Sequence, residues 1–404
     1  MSSPIRVAIV GVGNCAASLI QAVHYYQDAS HDQAGLMRSH IGGYTVRDIH
    51  FVLGFDVDDR KVGLPLTAAI YKKPNCVWPI VSESELRSSP VSTGTVFLAP
   101  VLDGVAPHMC GHSELPNVTV SEDERFKVNP EWYKQTHLSK MSPLNDSFIQ
   151  ELRKDFLKLL KDQRVDVLLN YLPVGSQKAT EFWAELCIDA KVNMVNCIPV
   201  FIASNAIWSD RFHDAGISII GDDMRSQFGA SILSQMLQEL ALARGHKVKA
   251  HIQQNVGGNT DFLNMKDETR LSSKKLSKEN VLRSPAELAG QSNDGSFLFA
   301  GPSDYIGFYK DNKVATFRLE LEGLGGSPVT LDARLSVQDS PNSAGVVLDA
   351  IRYVKVAQEI GRYGALKGPS AFTQKTPPVP MPFAKAVESC EKLSHRNAKF
   401  DESC

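Results

Sequence analysis

The sequence has little that is typical of a membrane, disulfide-linked or nucleic-acid-binding protein. No apolar run reaches the ~18 residues of a membrane-spanning helix, and the N-terminus leads into a strand rather than a signal peptide. The seven cysteines are an odd number without a Cys-x-x-Cys spacing, which argues against structural disulfides and a zinc knuckle. A net charge of −2 provides no basic surface for nucleic acid or anionic lipid. We therefore expect a cytoplasmic protein whose partners are small molecules or copies of itself.

The pattern of apolar residues predicts two kinds of sheet. With 404 residues, 43% of them apolar, the chain is large enough for two domains. Up to about Ile220, strands alternate with amphipathic helices, which predicts a parallel sheet with ligands beyond the carboxyl ends of its strands. Later runs alternate with period two and predict an antiparallel sheet, at 248–252, 315–321 and 329–337. A helix from Pro341 to Gly361 is expected to return the chain to the first domain.

The first strand, RVAIV, runs into a glycine turn typical of dinucleotide binding, GVGNCA at 11–16. We expect Gly11 to form the turn and Gly13 to let a pyrophosphate approach the backbone. The N–H groups at the helix start, around Asn14 and Cys15, are expected to bind that anion. Ala16 takes the third glycine position, where only close packing of helix on strand is needed.

A second buried strand, FVLGF, ends in Asp56. This carboxylate is expected to bind the adenosine ribose hydroxyls and to disfavour a 2′-phosphate, which selects NAD. Asp56 lies over forty residues after Gly13 instead of about twenty, so we interpret 26–47 as an insertion. These features alone also allow a doubly wound domain that binds no nucleotide.

Polar or glycine-rich segments follow the later strands of the predicted parallel sheet. They are NYLPVGS at 170–176, with Tyr171 and Pro173, NCIP at 196–199 and GDD at 221–223. Because the carboxyl ends of parallel strands meet at one edge, we expect these segments to surround the cofactor.

The segment NVGGNTDFLNMKDETRLSSKKLSK, at 255–278, combines amides, a carboxylate and several lysines. On a helix, Lys274 and Lys278 are four residues apart and share one face, where like charges repel unless acids or a bound anion offset them. The Gly257-Gly258 pair suggests backbone brought close to a ligand. The alternative interpretation is a solvated basic face on a surface helix.

Taken in order, these segments resemble the myo-inositol-1-phosphate synthase family, also called inositol-3-phosphate synthase, of the shorter prokaryotic type. The resemblance spans most of the chain. It is carried by VAIVGVGNCAASLIQ at 7–21, FDVDDRKVG at 55–63, NYLPVGS at 170–176, GDDMRSQ at 221–227, NVGGNTDFLNM at 255–265, SKKLSK at 273–278, GPSDYIG at 301–307 and DSPNSAGVVLDA at 339–350.

The resemblance implies an α/β fold with a Rossmann NAD-binding domain formed by both chain ends, 1–228 and 339–404. An inserted α+β domain at 229–338, containing the antiparallel sheet, is expected to make catalytic and subunit contacts. The implied assembly is a homo-oligomer, with a tetramer favoured.

The implied activity is an NAD-dependent isomerisation without net redox change. Glucose 6-phosphate is oxidised at C5, enolised, closed by an intramolecular aldol step and reduced by the same NADH to 1D-myo-inositol 3-phosphate. Closely placed ammonium groups stabilise the negative charge that develops on oxygen in these steps. A divalent or monovalent cation near the cofactor phosphates is a further expectation from the resemblance.

The resemblance also implies roles for particular residues. Lys274 and Lys278 are expected to stabilise the oxyanion, and Lys313 and Lys375 to bind the substrate phosphate and the later carbonyl. The acids that orient the lysines and the nicotinamide are Asp223, Asp261 and Asp339. The expected cofactor-binding residues are Gly11, Gly13, Asn14, Cys15, Ala16, Asp56, Tyr171, Pro173, Asp222, Asp304 and Ser340. For Lys375 the alternative is a loop lysine before Pro377, and for Asp304 it is a helix cap.

Two departures from the family pattern stand out. Arg225 occupies a position where the family commonly has lysine, and a guanidinium is a poor proton shuttle. The segment 96–144 is longer than expected and includes His108, Cys110, His112, Trp132 and His137. The spacing of HMCGH matches no strong zinc pattern, so we predict no metal site there and expect a lid or a subunit contact.

These departures leave two other functions open. A divergent lid can change the substrate, so the close alternative is a related cyclase that acts on another sugar phosphate. An example is the closure of fructose 6-phosphate to a five-membered cyclitol phosphate for secondary metabolism. A protein of another class, a nucleotide sensor or scaffold without turnover, is disfavoured because it has no need for a crowded lysine pocket.

Overall fold

The computed structural model describes residues 3–28, 30–104, 107–109, 146–267, 272–288, 290 and 295–396. The strands are β1 Ile5–Val10, β2 Ile49–Asp56, β3 Ser92–Leu98, β4 Val167–Asn170, β5 Asn193–Asn196, β6 Ser218–Ile220, β7 Lys247–Gly257, β8 Phe297–Tyr305, β9 Asn312–Glu322, β10 Pro328–Gln338 and β11 Gly364–Ala365. The α-helices are α1 Asn14–Tyr25, α2 Leu66–Ala69, α3 Glu83–Arg87, α4 Asp146–Asp162, α5 Gln177–Ala190, α6 Ala206–Asp214, α7 Ala230–Ala243, α8 Thr260–Asn264, α9 Ser272–Leu288, α10 Asp339–Glu359, α11 Lys367–Thr373 and α12 Phe383–Ser394. None of the described helices is both long and apolar enough to cross a membrane.

The first sheet is parallel throughout and confirms the predicted fold class. Its described strands lie in the order β11-β6-β5-β4-β1-β2-β3. Strand order reverses between β1 and β4, and in doubly wound folds the ligand lies beyond the strand ends at that point. The short strand β11 pairs with β6 at the edge of the sheet opposite β3, so the C-terminal part of the chain returns to this sheet as expected.

Both faces of the parallel sheet are buried, as its apolar strands require. In β1, Val7 and Ile9 pack into a core that also contains apolar residues of α1 and α10. Ala8 and Val10 face the other core, where α4 and α5 supply Phe156 and other aromatic side chains. The alternation of β1 side chains between two apolar cores explains why its sequence is an uninterrupted hydrophobic run.

The second sheet has the order β10-β9-β7-β8. The three predicted strands form β7, β9 and β10, and their antiparallel pairing is confirmed. A fourth strand, β8, was not predicted and pairs parallel to β7, so the sheet is mixed. The sequence of β8 contains Gly301 and Pro302 and lacks a clear alternation of apolar and polar residues.

One face of the mixed sheet is only partly covered by the described residues. Helix α7 packs Leu233 and Leu237 against Phe317 and Leu319 of β9. The neighbouring strand β10 stays largely exposed, and Leu331 is 36% exposed although it pairs with the buried Leu319. The division into domains at 228/229 and 338/339 remains a prediction.

The insertion predicted at 26–47 contacts helices from the C-terminal part of the chain. Arg38 forms ion pairs with Asp349 of α10 at 3.3 Å and with Glu391 of α12 at 2.8 Å. Its guanidinium also lies 5.0 Å from the centre of the Phe372 ring. The N–H of Gly42 donates to the carbonyl oxygen of Ser394 at 2.8 Å. The insertion therefore attaches the C-terminal helices to the first half of the parallel sheet.

Candidate active site

A cavity of about 330 Å³ lies at the carboxyl edge of the parallel sheet and is lined by residues of both sheets. Most of the predicted site residues line it, namely Gly11, Gly13, Asn14, Cys15, Asp56, Tyr171, Pro173, Asp223, Asp261, Lys313, Asp339, Ser340 and Lys375. The predicted residues Ala16, Asp222 and Asp304 are absent from its lining. The side chains of Lys274 and Lys278 lie outside the described part of the structure, although α9 includes their backbone.

The two glycines of the first turn have different surroundings. Gly11 has a φ of +90°, and a Cβ there would lie 2.5 Å from the carbonyl oxygen of Tyr171, so only glycine fits. A Cβ on Gly13 would meet none of the described atoms within 4 Å, and Gly13 lines the cavity. Helix α1 starts at the next residue, and its N-cap, Gly13, has no side chain that could bond the first N–H groups of the helix. The turn therefore leaves space and backbone donors for an anion at the switch point.

The end of this turn forms a packed wall of the cavity. Ala16 is fully buried, which matches the packing role of the third motif position. Burial, with the charges of Asp311 and Asp339, raises the pKa of the Cys15 thiol to about 12. The thiol therefore stays protonated at neutral pH and contributes a neutral surface rather than a nucleophile.

Asp56 holds the glycine turn in addition to facing the cavity. Its Oδ2 accepts the N–H of Val12 at 2.8 Å, and its Oδ1 accepts two N–H groups of the following loop. The Lys61 ammonium lies 3.7 Å from this carboxylate and donates to the Val12 carbonyl oxygen at 2.9 Å. Asn75 donates to the same carbonyl at 3.2 Å. The N–H and the carbonyl of Val12 are thus both fixed. A carboxylate has about four acceptor positions, and the three N–H groups leave one of them for a further donor.

Lys61 and Asn75 were not predicted as site residues. Lys61 belongs to the FDVDDRKVG segment that carries the family resemblance, which was the available signal. Its contact with residue 12 could not be predicted from local sequence, because the partners are separated by 49 positions.

Lys375 and Asp223 form an ion pair at the cavity. The Lys375 Nζ lies 2.8 Å from Asp223 Oδ1, and the two side chains are 13% and 2% exposed. Lys375 follows α11 and Asp223 follows β6, and the backbone N–H of Lys375 also donates to the Asp223 carbonyl at 2.8 Å. The second carboxylate oxygen, Asp223 Oδ2, accepts the Ser277 hydroxyl of α9 at 2.6 Å. Ser277 lies within SKKLSK but was not predicted as a site residue.

A second ion pair lines the same cavity. Lys313, at the start of β9, pairs with Asp339, the first residue of α10. The side chain of Lys313 is also 13% exposed. Three described lysines thus line the cavity, since Lys61 beside Asp56 adds to Lys313 and Lys375. The partners Lys313 and Asp339, and Lys375 and Asp223, were predicted as separate residues rather than as pairs.

Asp311 is a buried carboxylate beside the Lys313–Asp339 pair, and it was not predicted as a site residue. It accepts the N–H and the hydroxyl of Ser340, at 3.0 and 2.7 Å, and the side-chain amide of Asn259 at 3.2 Å. Burial and the charge of Asp339 raise its pKa to about 6, against these hydrogen bonds. It therefore connects the N-terminus of α10 to the loop before α8 and prefers its neutral form more than an ordinary aspartate does.

Asp222 lies behind the cavity wall. Its two oxygens accept hydrogen bonds from the side-chain amide of Asn196 at 2.7 Å, from the N–H of Ala203, and from the N–H and hydroxyl of Ser204. Burial raises its pKa to about 6, and these hydrogen bonds act in the opposite direction. The carboxylate is thus committed to holding the loop after β5, which forms part of the cavity.

Two other predicted positions lie away from the cavity. The Asp304 side chain is 60% exposed, lies 3.8 Å from Lys266 and accepts the N–H of Tyr305 at 2.7 Å. Arg225 is buried, its guanidinium donates to Gln235, and burial lowers its pKa to about 10. Because Arg225 does not line the cavity, it occupies a structural position in this chain.

The glycine pair after β7 makes its close approach to the chain itself. A Cβ on Gly257 would lie 2.5 Å from the Phe262 ring, and one on Gly258 would lie 2.3 Å from the carbonyl oxygen of Ile306. This differs from the expected approach to a ligand. The pair instead seats α8, whose first N–H groups are capped by Asn259 and whose Asp261 lines the cavity.

Of the segment 96–144, the structure describes only the residues up to 104 and 107–109. His108 Nε2 lies 2.7 Å from the carbonyl oxygen of Leu263, and Met109 lines the cavity. Cys110, His112, Trp132 and His137 lie outside the described residues. The expectation of a lid or subunit contact for this segment remains a prediction.

The parallel sheet, the glycine turn at its switch point and the charged cavity beside it define a Rossmann-type α/β enzyme. Sequence comparison identifies the family. The chain is 41% identical over 378 residues to an inositol-3-phosphate synthase of Mycolicibacterium smegmatis, covering 93% of each protein. It is 40% identical over 395 residues to one of Corynebacterium glutamicum, covering 96% of this chain and 98% of that protein. The chain therefore belongs to the inositol-3-phosphate synthase family.

Two further comparisons agree with this family. The model of the family Myo-inositol-1-phosphate synthase matches residues 229–340, which include the mixed sheet. The crystal structure of a myo-inositol-1-phosphate synthase-related protein from Thermotoga maritima has the same fold, with a TM-score of 0.75 at 20% sequence identity. That structural match covers 97% of this chain and 98% of the other.

The raised pKa of Asp311 predicts a pH dependence of stability. An acid with a higher pKa in the folded state stabilises the fold when protonated, and this contribution is lost as pH rises through about 6. From pH 7 to pH 5, Asp311 should increase the free energy of unfolding by about 1.4 kcal/mol. Urea unfolding at both pH values should show a smaller increase in Asp311→Asn than in the unsubstituted protein. Equal pH dependence in the two proteins would contradict the assignment.

Proposed function

We propose that this protein is an NAD-dependent inositol-3-phosphate synthase, which converts glucose 6-phosphate to 1D-myo-inositol 3-phosphate without net redox change. The main support is that the glycine turn and two lysine–carboxylate pairs line one cavity. Membership of the family supports the same activity. The cytoplasmic location predicted from the sequence is part of this proposal.

The surroundings of the glycine turn fit NAD. The open space beside Gly13 can accept a pyrophosphate, and the uncapped start of α1 offers N–H donors to it. Asp56 lines the cavity next to this turn, where a ribose hydroxyl can donate to it. NAD, when bound there, supplies the hydride acceptor for oxidation of the sugar. We assign no residues to the expected cation, since no described group of three His, Cys, Asp or Glu side chains is arranged to hold a metal.

The lysine pairs suit the steps in which negative charge develops on oxygen. Lys375 and Lys313 are mostly buried, and in a shielded site an ammonium group stabilises an oxyanion more strongly than in water. Asp223 and Asp339 hold these groups in place before the substrate binds. We propose that Lys313 and Lys375 bind the substrate phosphate and the carbonyl. Lys274 and Lys278 of α9 stabilise the oxyanion in this proposal. Asp261 helps to orient the lysines.

The activity is tested by the product formed. The protein with NAD should convert glucose 6-phosphate to an inositol phosphate, identified by NMR, without accumulation of NADH. Fructose 6-phosphate should give no carbocycle. A product from fructose 6-phosphate alone would identify a related cyclase, and no product from either substrate would contradict the proposed function.

A matched pair of variants serves as the control for this assay. Lys375→Met should lower kcat by about 100-fold or more, because a charged donor to the substrate carbonyl, whose oxygen gains negative charge in the aldol step, is lost. Lys355→Met removes a lysine that is equally exposed and also paired with an aspartate, but lies away from the cavity. Its kcat should stay within about twofold of the unsubstituted protein.

The two glycines of the turn allow NAD binding to be separated from folding. Gly13→Ala should leave the melting temperature nearly unchanged but weaken NAD binding by about tenfold or more, because its methyl group would occupy the space of the pyrophosphate. Gly11→Ala should lower the melting temperature, since it is strained at φ +90° and collides with Tyr171. Titration calorimetry measures the affinity. Unchanged affinity in Gly13→Ala would place NAD elsewhere.

We further propose a homo-oligomer, with a tetramer favoured. The support is the partly covered face of the mixed sheet, where Val329 and Leu331 of β10 and Leu240 of α7 are 40%, 36% and 60% exposed. A second subunit packed on this face would remove these apolar side chains from water.

Light scattering of the unsubstituted protein should give a mass near that of four chains. Leu331→Asp should reduce this mass, because a carboxylate would be buried in the interface. Thr330→Asp, which changes the neighbouring residue on the opposite face of β10, should leave it unaltered. A monomeric unsubstituted protein would refute the oligomer.

A further inference from the structure

Asp223 lies where three separate segments of the chain meet. It follows β6, its Oδ1 accepts Lys375 from the segment after α11, and its Oδ2 accepts the hydroxyl of Ser277 from α9. The distances are 2.8 and 2.6 Å, and the Asp223 side chain is only 2% exposed. One carboxylate therefore links a predicted catalytic lysine to the helix that carries two others.

The Asp223 and Lys375 side of this contact is attached to the parallel sheet through the backbone. Asp223 N–H donates to the carbonyl of Ile198 at 3.1 Å, and Lys375 N–H donates to the carbonyl of Asp223. Asp222 and Thr376 exchange two further backbone hydrogen bonds, at 2.9 and 3.0 Å. The ion pair is thus a fixed point in the cavity wall.

Ser277 of α9 reaches this fixed point. Its side chain is fully buried, and it lies between Lys274 and Lys278 in the sequence of α9. A hydrogen bond from a hydroxyl to a carboxylate is short and stronger than one between neutral groups. Because a helix is stiff over one turn, fixing Ser277 also fixes the backbone at both lysines.

We propose that Ser277 is a positioning residue for turnover. Its hydroxyl holds α9 against the Asp223–Lys375 pair, so that the lysines of α9 and Lys375 keep one relative placement. The inference rests on the proposed function, because it assigns the effect to the reaction in which these lysines act.

The kinetic test uses Ser277→Ala and a control on the same helix. Ser277→Ala should lower kcat for glucose 6-phosphate by about tenfold or more, with the affinity for NAD within about twofold of the unsubstituted protein. Ser284→Ala changes a half-buried serine two turns further along α9 and should leave kcat nearly unchanged. Equal losses in both variants, or an unchanged kcat in Ser277→Ala, would overturn the proposal.

Hydrogen exchange of α9 tests the contact itself and does not depend on the substrate. Ser277→Ala should accelerate amide exchange in 272–288, and Asp223→Ala, which removes the acceptor of the Ser277 hydroxyl, should accelerate it at least as much. The double variant should exchange no faster than Asp223→Ala alone, because the link to Ser277 is already broken there. Additive effects in the double variant, or unchanged exchange in Ser277→Ala, would overturn the proposal. If the unsubstituted protein converts no sugar phosphate, the proposed function fails separately, and the exchange result still decides whether Ser277 holds the helix.

Discussion

The pairing of buried ammonium groups with carboxylates is the constraint on which the site depends. Lys375 and Lys313 are each 13% exposed, and removing such a charge from water is costly unless a partner with good geometry is present. The partner of Lys375 is 152 residues away in sequence. The fold brings Lys375 next to Asp223 by returning the C-terminal part of the chain to the parallel sheet. The return of the chain through α10 and β11 is thus a structural condition for a lysine-lined cavity beside a glycine turn.

Local patterns in the sequence were sufficient to predict the scaffold. The glycine turn, the alternation of strands with helices and the period-two runs of β9 and β10 are short-range patterns, and the structure contains all of these elements. Strand β8 was missed because its pairing depends on β7, some fifty residues away, and its own residues do not alternate. Ser277 and Asp311 were missed for a related reason, since each acts through a partner that only the folded chain brings near.

The resemblance to the family identified candidate site residues, but it did not predict which atoms they contact. Asp222 and Asp304 were both assigned to the cofactor, yet one is occupied by four donors behind the wall and the other is largely exposed. The Gly257-Gly258 pair has a close neighbour as expected, but that neighbour is Phe262 and the backbone at Ile306. Motif position therefore indicated which segments form the site, and hydrogen-bond partners distinguish residues that face the cavity from those that support it.

In the proposed reaction, one cavity both oxidises and reduces the same carbon of the substrate. Glucose 6-phosphate labelled with deuterium at C5 tests this most directly, with the protein, NAD and unlabelled NADH in solution. We expect an inositol phosphate that retains deuterium at the corresponding carbon, because the label returns before the cofactor leaves. An inositol phosphate without the label, or deuterium in the NADH pool, would contradict it.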